Sequence, residues 1–209
     1  MVALEDFLPY VRVHVSGLPA PVMVHELRTA AIQFCERSRA WKGIDALDVV
    51  AGESHYVIPV PDEAQLAVIE EVYLGSQYLA PKPLDELRSR YTNWLEATGN
   101  PLYFTQLEPG AITLVPAPVT SKTDGLRFRA HFKPLPSAKQ VPDFLLNHYG
   151  PIIASGALAK LMMMPDLPCH NPKGAEQHQT QFDLGAYRAN TQADRSFTRA
   201  PRRVVGRFM

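Results

Sequence analysis

Only two cysteines, Cys35 and Cys169, occur in 209 residues, and no CxxC spacing is present. So few thiols so far apart exclude a disulfide scaffold and the usual cysteine-based metal modules. Synthesis in a reducing compartment with both thiols free is the natural expectation, with a single Cys35–Cys169 disulfide as the alternative. No Walker A loop and no GxGxxG turn is found, which removes the standard phosphate cradles. The longest small-and-apolar run, Ile152 to Met164, contains Lys160 and is too short to span a bilayer. The start, Met1-Val2-Ala3-Leu4-Glu5-Asp6, is acidic where a secretory leader is basic, which argues against export. Charge of neither sign dominates: 21 Lys+Arg offset 21 Asp+Glu. Long-range attraction to nucleic acid or membrane is therefore not a property of the whole molecule, and any electrostatic targeting has to be local.

What is present is a chain with 46% apolar and 20% charged residues, the balance of a soluble globular protein with a sizeable core. One segment departs from that balance. Arg195 to Met209 carries five arginines (Arg195, Arg199, Arg202, Arg203, Arg207) and no acid. Its apolar residues, Phe197, Val204, Val205, Phe208 and Met209, are scattered among charges, and Pro201 interrupts any helix. Such a segment cannot bury enough apolar surface to offset its own ordering entropy. It is expected to be an arm that orders against a partner offering acidic or phosphate groups and shallow pockets for the aromatic ends.

The remainder falls into regions of different texture. Residues 1–43 read as helical: after Leu4, Phe7, Leu8 and Val11, Pro19 and Pro21 open an amphipathic run from Val22 to Trp41, which Gly43 is expected to stop. Residues 44–134 change period and are rich in proline. Short β-prone runs (44–50, 55–60, 66–74, 102–107, 112–115, 126–133) are separated by Gly, Pro, Asn and Asp turns. Glu108-Pro109-Gly110 looks like a hairpin connection. Leu126, Phe128, Ala130 and Phe132 alternate with Arg127, Arg129, His131 and Lys133, which predicts one buried and one wet face. A helix over Leu84 to Glu96 interrupts the strands. Residues 135–194 return to helix, first from Pro142-Asp143 to Pro165 with a bend expected at Pro151, then from Lys173 to about Ala193. That second helix has a thin apolar stripe, which suggests contact with neighbouring copies rather than packing within one chain. The fold class expected is α+β: a bundle of N- and C-terminal helices, a β-sandwich-like insertion, and an extended arm at 195–209.

Candidate chemistry is sparse. His25-Glu26 begins like a zinc-protease helix, but Thr29 stands where the second histidine belongs. Cys169 and His170 with Glu176 and His178 form a cluster of metal-capable side chains whose spacing matches no zinc module. His148 reads as a core or interface histidine, and Met162-Met163-Met164 as adaptable packing. Glu70 and Glu71 are adjacent on a strand and point to opposite sides, so they are no catalytic pair. Ala154-Ser155-Gly156 lacks the setting of a nucleophile elbow. No catalytic residue, metal site or cofactor is expected. For the arm, a nucleic-acid contact competes with protein docking, since arginine pairs with phosphate as readily as it marks protein interfaces.

Phe34-Cys35-Glu36-Arg37-Ser38-Arg39-Ala40-Trp41 resembles the "FCxR…W" element of phage head-to-tail adaptor (connector) proteins. Gly99-Asn100-Pro101-Leu102-Tyr103-Phe104 with the later Ile112–Pro118 stretch is similar to that family's β insertion, and Gly156–Leu161 with the Pro165–Pro168 turn fits as well. The matches run over roughly residues 4–170. Cys169 departs from the aromatic expected there. The resemblance implies a non-enzymatic virion protein at the head–tail interface, made in the host cytoplasm without membrane association. It further implies a ring of twelve copies beneath the portal, a lumen that passes genomic DNA, and a downstream tail (nozzle or tube) protein met by the β insertion. The arm would climb onto the portal through Arg195, Phe197, Arg199, Arg202, Arg203, Arg207 and Phe208. A tail completion or tail-tube protein of related fold is the alternative role.

Overall fold

The structure, a computed structural model, describes residues 1–90, 93–165 and 167–195. In chain order the elements are β1 (Val2–Ala3), a 3-10 turn (Leu4–Phe7), α1 (Leu8–Arg12), α2 (Ala20–Ser38), β2 (Lys42–Val49), β3 (His55–Val57) and β4 (Ala64–Leu74). There follow β5 (Gln77–Pro81), α3 (Leu84–Arg90), β6 (Thr98–Gly99), β7 (Tyr103–Thr105), β8 (Ala111–Val115), β9 (Ala117–Pro118), β10 (Lys122–Pro134), β11 (Gln140–Val141), α4 (Asp143–Met163) and α5 (Pro172–Asp194). The chain is α+β, as expected. It divides into two compact units, Met1–Ala40 with Pro134–Met209, and Trp41–Lys133.

The first unit is a bundle of α1, α2, α4 and α5. Pro19 and Pro21 start α2, where proline's fixed φ suits a first turn. Met23, Leu27, Ala30, Ala31, Phe34 and Cys35 then recur on one buried stripe. The helix does not run on to Gly43. It stops at Ser38 because Arg39 turns left-handed (φ 51°) and donates its N–H to the Cys35 carbonyl, an αL cap made without glycine. Gly43 lies inside β2, where a Cβ would run into the Phe132 ring.

Glycine serves close packing between α4 and α5. A Cβ on Gly156 would sit 2.7 Å from the fully buried ring of Phe182, and one on Gly185 would meet Ile152 at 2.5 Å. These two positions let Phe182 and Ile152 interlock across the helices. Phe182 also stacks near Phe34, which in turn lies 4.8 Å from Tyr149 between ring centroids. The thin stripe of α5 (Ala175, Phe182, Ala186, Ala189, Ala193) is therefore buried within its own chain, correcting the expectation that it faces a neighbouring copy. Small residues lower the apolar content of a helix face without preventing its burial; they let backbones approach.

The second unit is a curled seven-stranded sheet in the order β2-β10-β4-β5-β7-β8-β3, accompanied by the short α3 and the β6–β9 pair. Most neighbours are antiparallel, but β5–β7 and β6–β9 run parallel. β7 and β8 form the hairpin expected around Glu108-Pro109-Gly110, with Gly110 at φ 90°. β10 starts at Lys122 and carries a register shift before Leu126, where Asp124 (φ 48°) donates its N–H to Asp48 Oδ1. β5, unmarked in the sequence reading, pairs with the end of β4 across the Gly75-Ser76 turn. α3 ends at Arg90, short of the expected Glu96, and Asn93–Glu96 form a turn.

Candidate functional site

The arginine-rich segment meets the described structure at one residue. Arg195 is the C-cap of α5 (φ −90°, ψ 4°), and its N–H donates to the Gln192 carbonyl at 3.1 Å. Phe197, Arg199, Arg202, Arg203, Arg207 and Phe208 lie outside the described residues. What the structure gives is the anchorage. α5 is seated in the bundle along its whole length, from Ala175 to Ala193, the latter fully buried. At its start, Asn171 accepts the Gly174 N–H at 3.1 Å, a side-chain N-cap next to Pro172. In its middle, Asp183 pairs with Arg37 of α2, whose guanidinium lies 5.4 Å above the Phe182 ring centroid. The end of α5 is thus fixed by packing.

The metal-capable residues near α5 do not converge. Cys169 points its thiol at the Leu161 carbonyl (3.6 Å), while His178 packs edge-on against His14 of the α1 end, ring centroids 5.1 Å apart. Burial first, and the His14 ring second, hold His178 below the ordinary histidine pKa. Among the described residues no group of three His, Cys, Asp or Glu could hold a metal ion. His25 is exposed and reaches Glu26 only at 4.0 Å. His148 is exposed, not core; Tyr149, one residue on, takes the buried position, and its hydroxyl has no partner among the described residues. Both cysteines are free, and burial, reinforced by Glu36, pushes the Cys35 thiol far above the usual range, so it is inert.

One close side-chain pair of the sheet was not legible from alternation. His131 belongs to the polar series of β10 yet is 1% exposed, with Nε2 2.7 Å from Glu70 Oε1 of β4. Burial acts to raise the Glu70 carboxyl, but the His131 hydrogen bond and charge, with Lys42 and Arg129, outweigh it and hold the carboxyl below its usual range. Glu71 instead meets Arg129 at 3.5 Å. The two carboxylates thus have separate partners, consistent with structural ion pairs rather than acid–base work.

Sequence reasoning also missed an apolar groove in the sheet unit. Two adjoining cavities of about 330 and 440 Å³ lie between the start of β4 and the β7–β8 hairpin, sharing Leu66, Glu108, Pro109 and Gly110. Val57, Val60 and Leu107, each strongly exposed, gather around them. The hairpin signal at Glu108–Gly110 marked the place without showing that apolar side chains collect there.

A family model described as SU10 adaptor protein matches residues 5–205. The chain belongs to that family. No curated protein matches it. The SU10 adaptors are a phage head-to-tail adaptor family, so the adaptor is a structural component of the virion, in a class that is not enzymatic. Membership implies interaction with phage portal and tail proteins. No helix of the adaptor, among the described residues, is long and apolar enough to cross a membrane.

Proposed function

We propose that the adaptor forms a ring, of twelve copies, that joins the portal to the tail and lets the genome pass through its lumen. The helical bundle (residues 1–43 and 135–194) is the body of the ring, and the β insertion (44–134) faces the downstream tail protein. Residues 195–209 are the arm that docks on the portal, with Arg195, Phe197, Arg199, Arg202, Arg203, Arg207 and Phe208 making the contacts. The observation that supports this reading is the burial of α5 up to Ala193, directly before the arginine-rich stretch of the sequence. A ring of fixed exit points presents many weak arms at a defined spacing, so that they engage together at a high effective concentration.

Deleting everything after Asp194 tests it. The truncated adaptor is expected to keep its melting temperature and to lose binding to purified portal rings. Unchanged portal affinity would remove the arm from the interface. Binding of the isolated adaptor to duplex DNA with a steep salt dependence, lost on the same deletion, would favour the nucleic-acid alternative.

A further inference from the structure

A segment with Arg199, Arg202, Arg203 and Arg207 and interspersed Phe and Val needs a seat with acids at its rim and shallow apolar pockets. The adaptor carries such a seat on its own sheet unit. The groove between β4 and the β7–β8 hairpin has an apolar floor of Val57, Val60, Leu66 and Leu107. Val57 is 67% exposed and Leu107 52% exposed, so this surface is open to solvent as it stands.

The rim is acidic. Glu108 lines both cavities, Asp62 and Glu63 immediately precede the groove residue Ala64, and no Lys or Arg lines either cavity among the described residues. His55 places its Nε2 3.4 Å from Glu108 Oε1. Acids also outnumber bases over the whole of Trp41–Lys133. The backbone adds to this. β5 pairs with β4 at Val72–Leu74 and with β7 at Ala80–Pro81, so its register with β4 does not reach Leu66–Ile69. An extended segment lying there can bond to a strand edge while its side chains enter the cavities.

We propose that this groove seats the arginine-rich C-terminal segment, residues 196–209, of a second copy of the adaptor. The inference rests on the reading of that segment as a docking arm and gives it a partner before the portal arrives. Arginines meet the acidic rim, and Phe197, Val204, Val205 or Phe208 cover the apolar floor. Fourteen extended residues beyond Arg195 reach on the order of 45–50 Å, enough to meet a neighbour in a ring. Portal and groove then compete for the same segment, which delays exposure of the arms until the portal is present.

The test uses a fluorescent peptide of the sequence Arg195–Met209 and the full chain. The peptide is expected to bind at low ionic strength and to weaken with added salt. Leu107→Lys and Val57→Lys, each adding a like charge to exposed groove surface, should weaken binding about tenfold, a cost of about 1.4 kcal/mol. Ile44→Lys, an equally exposed apolar position outside the groove (74% exposed), should leave it unchanged. Sedimentation of the full chain should show self-association that grows with concentration and is lost in Leu107→Lys. Failure of the peptide to bind, or equal binding by Leu107→Lys, overturns the proposal. A chain that excludes the peptide yet sediments as a monomer at every concentration holds its own segment, and that also overturns the second-copy seat. Leu107→Lys is expected to retain portal binding, whereas deletion after Asp194 removes both; loss of the groove contact alone therefore leaves the portal reading standing.

Discussion

At Gly156 the packing of the bundle reduces to a single missing carbon. Its Cα faces Phe182 of α5 and Ala30 of α2, both fully or nearly fully buried, so an added methyl cannot be accommodated by moving either. Gly156→Ala is expected to lower the unfolding free energy by about 1–3 kcal/mol, measured by urea titration, despite alanine's better helix propensity. An unchanged or raised midpoint would show that the α4–α5 contact is looser than described. The second residue-scale prediction concerns pH. Glu70 is held below the ordinary carboxylate range by His131, so its contribution to stability is present above the unfolded-state value and is lost as pH falls through the lower, folded-state value. Glu70→Gln should therefore destabilise the protein by about 1–3 kcal/mol near neutral pH, because it removes the carboxylate that lies 2.7 Å from the buried His131 Nε2. That difference should shrink toward zero in strong acid. A stability gap that stays constant with pH would assign the effect to packing instead.

At the scale of elements, α5 carries most of the argument. Phe182→Ala should cost about 3–5 kcal/mol, since it removes a buried aromatic from a site shaped by Gly156. Asn171→Ala should cost about 1 kcal/mol through loss of the N-cap. Both are read by thermal melting, and only the first should loosen the end of α5 enough to raise amide exchange around Ala189 and Ala193. The existence of α2, α4 and α5 was legible in their periodicity and proline starts, and the β7–β8 hairpin in Glu108-Pro109-Gly110. What escaped was tertiary. Arg39 ends α2 because a left-handed cap was available one turn before the glycine that seemed built for it. A polar helix with few large apolar residues read as an outer surface, yet alanines and glycines bury it in the bundle. His131 fell in the wet series of β10 because alternation cannot see an acid on the neighbouring strand. The groove at Val57, Leu66 and Leu107 unites residues from two strands and a hairpin loop, a juxtaposition with no period to detect.

For the whole molecule, the sequence and the structure divide the work differently. The arginine-rich end is conspicuous in the sequence, and its local charge excess within a neutral chain is what pointed to docking. The structure supplies the frame: a bundle in which α5 is buried up to Ala193, and a sheet unit with a groove of its own. The family match over residues 5–205 makes the chain a phage adaptor. The proposed ring follows from what an adaptor with one short arm per copy needs in order to hold a portal, since individually weak contacts become stable only when presented together.

Electron micrographs of purified adaptor mixed with purified portal rings test this most directly. The account predicts a second ring stacked coaxially on the portal with the full chain, and bare portal rings with the chain ending at Asp194. Portal rings left bare by the full chain, or a coaxial ring formed equally well by the truncated one, would contradict it.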